Sequence, residues 1–140
     1  MTHKSTPLNS ATLADMALAN LKAQCHELRQ AATLSPATCL YQAAHQVEMV
    51  DAYLAAYTAA GADVKTLPLA EKLCDSMMAM VKTMCRDTYW NNRAMSEVTH
   101  EHMETVIMKV IELTEMVDEP CYGDDAALRF NAIQAPWWRD

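Results

Sequence analysis

Tyr89-Trp90-Asn91-Asn92 lies inside a run, Leu69 to Glu119, that holds neither glycine nor proline. If the chain turns at these residues, the run is two helices. If it does not, one helix spans about 67–118 and must find its packing surface in a second copy. Ahead of it the apolar seam is Ala70, Leu73, Met77, Met80 and Met84; behind it the seam is Thr99, Met103, Val106, Val110, Leu113 and Val117. Both alternate steps of three and four, the spacing of a packed helix face. Carrying the first seam onward in strict heptads would place Asp87, Asn91, Glu101 and Glu112 in the core, where unpaired charge is costly. The phase must break, and asparagine can cap on either side, so the sequence predicts a turn here. The alternative is a continuous helix with a stutter, in a helical dimer.

Upstream, the punctuation is clearer. From Ser10 to Thr33 the seam is Ala11, Ala14, Leu18, Leu21, Cys25, Leu28 and Ala32. Ser35-Pro36 reads as an N-cap followed by proline at the first helical position, where its missing N–H costs nothing. A second seam, Leu40, Ala43, Val47, Val50, Leu54 and Tyr57, runs to Gly61, placed as the left-handed residue that closes a helix. A connection over Gly61 to Thr66 leads to a third helix whose first turn holds Pro68. Helices joined by so few residues fold back on each other.

The expected fold is therefore all-α: an antiparallel up-and-down four-helix bundle with a short C-terminal helix and a Trp-containing tail. Residues 1–9 are expected to be a mobile N-terminal tail and 10–118 the bundle. Residues 119–140 are expected to pack on the bundle or on a partner, with a short helix near 125–133.

Composition agrees. Of 140 residues, 23 are Ala, 13 Leu and 11 Met, against 11 Val plus Ile and only two Gly, which suits helices and not sheets. The formal charge is −7, and nine acids fall in 97–125 against one base, Lys109. Such a surface repels nucleic-acid phosphates and anionic lipid, so neither is an expected partner. Five cysteines without a C-x-x-C spacing read as reduced, mostly buried thiols of a cytoplasmic protein. The start of the chain lacks the apolar core of a secretory signal and no stretch is uniformly apolar over a membrane's width, so the chain is expected to be soluble and unprocessed.

Few motifs carry chemistry. Glu97-x-x-His100 has the spacing of a di-metal carboxylate bundle, and His45-x-x-Glu48 is its reverse, with His26-Glu27 nearby. On the seams above, Glu27, His45, Glu48 and Glu97 all point away from the core, whereas such a site needs inward carboxylates. His100 and His102 flank the fourth seam and diverge by about 200° on one helix, so they are at most ligands for a metal shared with another chain. Cys74, Met77, Met78, Met80, Met84 and Cys85 resemble a soft-metal set, but thioether core packing accounts for them. There is no nucleophile elbow, phosphate loop, zinc-protease motif or haem attachment. No cofactor and no catalytic residue is assigned.

What exceeds a plain bundle is the width of the apolar stripe. Met78, Val81 and Cys85 on the third helix, and Ile107, Met108 and Ile111 on the fourth, lie outside the seams and should face solvent in a minimal monomer. With Trp137 and Trp138 they are the candidate partner-binding residues. The expected function is a small acidic interaction module, an adaptor, dedicated chaperone or inhibitor, that acts by binding another protein, with a basic surface or a second copy as the expected partner. The alternatives are a metal- or cofactor-binding bundle and an acidic decoy of a nucleic-acid-binding protein.

Overall fold

The computed structural model describes residues 9–90, 93 and 95–117. These are helical, with no strand among them: α1 (Ser10–Ala31), α2 (Pro36–Ala59), a 3-10 turn (Val64–Thr66), α3 (Ala70–Met84), a short α4 (Asp87–Trp90) and α5 (Glu97–Val117). The expectations for residues 1–8, for the C-terminal helix and for Trp137 and Trp138 lie outside the described residues.

The helix ends follow from local chemistry. The Asn9 side chain accepts from the Thr12 N–H at 2.8 Å and caps α1. Ser35 accepts from the Thr38 N–H at 3.4 Å and Pro36 opens α2, as the sequence predicts. Gly61, with φ of +88°, closes α2. Around it the Gly61 N–H donates to the Thr58 carbonyl at 2.9 Å and the Ala62 N–H to that of Tyr57 at 3.3 Å, the paired bonds of a Schellman cap. Asp63 then accepts from the Lys65 N–H at 2.9 Å and nucleates the 3-10 turn.

Two boundaries differ from expectation. Pro68 precedes α3 instead of lying in its first turn, and the helix starts at Ala70 without a side-chain cap. The run from Leu69 is interrupted at Cys85-Arg86 and again at Met95-Ser96, so α3 and α5 are separate helices. The interruption begins upstream of the expected turn. The reason is Trp90: its indole N–H donates to the Met84 carbonyl at 2.8 Å, satisfying an acceptor that the end of α3 leaves open. Ser96 starts α5 by accepting from the Thr99 N–H at 3.1 Å.

α1 packs on α2 and α3, α5 packs on the same two helices, and α2 also meets α3. The middle pair therefore carries most of the core. Nine of the fifteen residues of α3 are buried, because it faces α1, α2 and α5 at once. The seams of α2 and α5 are buried as read, except that Thr99 is half-buried. On α1 the seam drifts: Ala11 is exposed and Ala17 takes a core position.

This packing corrects the stripe. Met78, Val81 and Ile107 do not face solvent; they are buried in the chain's own core, since α3 and α5 each pack against more than one neighbouring element. Cys85 and Ile111 are half-buried. Met108 alone of the six is open, at 50% of its full exposure.

Candidate functional site

The polar interior is structural. Gln24 on α1 donates through its side-chain amide to that of Gln46 on α2. Ser76, fully buried, donates to the Lys72 carbonyl at 2.7 Å and accepts from Arg29 Nε at 3.2 Å. Thr83 donates to the Ala32 carbonyl at 2.7 Å, tying the end of α3 to the end of α1. Each group meets the hydrogen-bonding demand that burial imposes.

Burial also holds three of the described thiols in the protonated form. Burial pushes Cys39 up to about 11 and Cys85 up to about 12, with Cys25 raised as well. Cys39 spends its S–H on the Met80 carbonyl at 3.5 Å. A protonated, buried thiol is a poor nucleophile and a poor metal ligand. The methionines of α3 fill core: Met77, Met80 and Met84 are fully buried.

The histidines do not assemble. His102 Nε2 lies 3.2 Å from the Leu40 carbonyl oxygen; since a carbonyl only accepts, this nitrogen carries the proton and is used inside the chain. His100, two residues before His102 and about 200° round the helix, is half-buried. Among the described residues no three His, Cys, Asp or Glu side chains gather in a way that could hold a metal ion.

The outward face of α5 is different. Glu97, Glu101, Glu104, Glu112 and Glu115 are all exposed there. A shallow groove of about 620 Å³ is lined by Glu101, Glu104, Thr105, Met108, Lys109 and Glu112. Its one cation is already engaged: Lys109 Nζ lies 3.2 Å from Asp51 on α2 and 3.4 Å from Glu112. The hydrogen bond with Asp51 is the main cause that raises its pKa above the ordinary lysine value. Among the described residues Glu101 and Glu104 enter no ion pair. The face offers net negative charge around one flexible thioether.

A second groove, about 360 Å³, lies where the starts of α2 and α5 meet α4. Ala37, Leu40, Tyr41, Trp90, Val98, Thr99 and His102 line it. Tyr41 and Val98 stand 84% and 74% exposed at its rim. Sequence reasoning missed it. Tyr41 and Val98 are apolar residues off their seams, which was the available signal. That they share a groove depends on how α2 and α5 pack, which periodicity does not disclose.

No helix among the described residues is long and apolar enough to cross a membrane. No family model, curated protein or solved structure matches this chain.

Proposed function

We propose that this chain is a small acidic interaction module of the cytoplasm, an adaptor, dedicated chaperone or inhibitor, that acts by binding a basic protein partner on the outward face of α5. The observation that carries this reading is Met108, half open in a groove whose rim is Glu101, Glu104 and Glu112 while the only local cation is held by Asp51. An adaptable apolar centre supplies contact area, and the carboxylates of Glu101 and Glu104, outside any ion pair among the described residues, with Glu112 beside them, speed encounter with a basic surface.

The scaffold is proposed to be an up-and-down bundle. Four pairings support this: Gln24 with Gln46, Cys39 with Met80, Leu40 with His102, and Asp51 with Lys109. The first two fit an α2 that runs against α1 and α3, and the last two fit an α5 that runs alongside α2. Rigid helices with buried seams would hold the α5 face in one shape.

Binding of a lysine-rich helical peptide tests the reading. Affinity should fall as salt rises, and replacing Glu101, Glu104 and Glu112 together with glutamine should weaken binding by roughly tenfold or more at low ionic strength. Binding that ignores both salt and the substitutions would contradict it.

A further inference from the structure

We infer that the partner segment is a basic amphipathic helix that lies along α5, seats one apolar side chain in the groove of Tyr41, Trp90 and Val98, and turns its Lys or Arg residues to Glu101, Glu104 and Glu112. This rests on the partner reading just proposed and adds the anchor and the form of the ligand.

The groove favours an apolar occupant because most of its lining is ring and aliphatic surface and three of its polar groups are already engaged. His102 Nε2 is bonded to the Leu40 carbonyl, Thr99 Oγ1 lies 2.9 Å from Ser96 Oγ, and the Trp90 indole N–H is given to Met84. Beside them the Tyr41 hydroxyl is the one phenolic group of the lining, and Ala37, Leu40, Val98 and the rings of Tyr41 and Trp90 supply apolar surface. Its volume, about 360 Å³, is ample for one large side chain. Two large apolar side chains from different helices, Tyr41 and Val98, stand open on its rim.

Both grooves draw lining residues from α5. His102 lines the first and its neighbours Glu101 and Glu104 line the second. Val98 and Met108 are ten residues apart on α5, about 15 Å at the helical rise. A partner helix alongside covers that distance with apolar residues about ten or eleven apart, with cations between them. α5 has its backbone bonded within the helix and presents no strand edge, so side-chain docking of a helix is the mode that fits.

Charge decides among occupants. A second copy would bring the same carboxylates against themselves. Residues 118–140 of this chain carry Asp118, Glu119, Asp124, Asp125 and Asp140 against Arg129 and Arg139. Both are repelled by the rim; a basic helix is attracted.

The experiment uses the full chain with Trp137→Phe and Trp138→Phe, so that Trp90 alone reports in tryptophan emission. Three Trp-free peptides of about 18 residues are compared: a lysine-rich helix with a Phe anchor, the same with Phe replaced by Ser, and the same with Lys replaced by Gln. The first should bind and shift Trp90 emission. Loss of either the anchor or the charge should weaken binding by about tenfold or more, and loss of the anchor should also remove the emission shift. Val98→Asp should reproduce the anchor loss, with Tyr41→Ala as a second variant if the first alters the helical circular dichroism. Equal binding by the Phe and Ser peptides would overturn the anchor while leaving the acidic-face reading intact. Failure of all three to bind would overturn both. A Trp90 shift on adding a peptide of residues 118–140 that carries Trp137→Phe and Trp138→Phe, or a dimer that Val98→Asp dissociates, would give the groove to the chain itself and overturn the proposal.

Discussion

Cys39 is fully buried against the end of α3, and the loss of water that its thiolate would suffer outweighs the help of the Met84 backbone and the Arg86 charge. Its thiol ionises near 11 in the folded chain and that of Cys85 near 12, against 9.0 for a free thiol. The unfolded chain therefore releases these protons first. The stability they contribute is fully present below pH 9.0 and is lost as pH rises through about 11 to 12. Urea midpoints measured from neutral to alkaline pH should fall beyond pH 9.0, and Cys39→Ala should flatten that fall while lowering the neutral value. Gly61 makes a different demand. A Cβ there would meet no atom within 4 Å, so the cost of Gly61→Ala is backbone strain alone at φ of +88°. The loss should be about 1 kcal/mol by urea denaturation, with Gly61→Asn losing less.

At the scale of elements, the connection between α3 and α5 is where sequence and structure part. Ser35-Pro36 and Gly61 were legible because each satisfies a local requirement that few residues can meet. The end of α3 at Met84 was not, because it depends on the indole of Trp90 six residues on, returned by a turn that no periodicity encodes. Trp90→Phe keeps most of the ring but leaves the Met84 carbonyl without that donor. It should cost about 1–3 kcal/mol in thermal or urea unfolding, where removal of the exposed Tyr41 ring should cost far less. The second apolar row of α3 carries a related lesson. Met78 and Val81 were read correctly as a widening of the stripe, but a pattern along one helix does not say whether its second row meets the same chain or another. Here Met78 and Val81 are buried within the same chain, and the stripe narrows to Met108.

Taken whole, the molecule places α2 and α3 between α1 and α5, and so turns one strongly acidic helix face outward on a scaffold whose polar interior is satisfied. The candidate site was half legible: the acids of residues 97–115 and Met108 are plain in the sequence, whereas the groove beside them needed the packing of three helices. The account stands on α5 being the surface that a basic partner covers. Carboxyl footprinting of the chain, free and saturated with the lysine-rich anchored helix, reads this most directly. Labelling of Glu101, Glu104 and Glu112 should fall on binding while that of the exposed Glu27, Glu48 and Glu71 stays the same. Protection of Glu27, Glu48 or Glu71 with no change on α5 would contradict it.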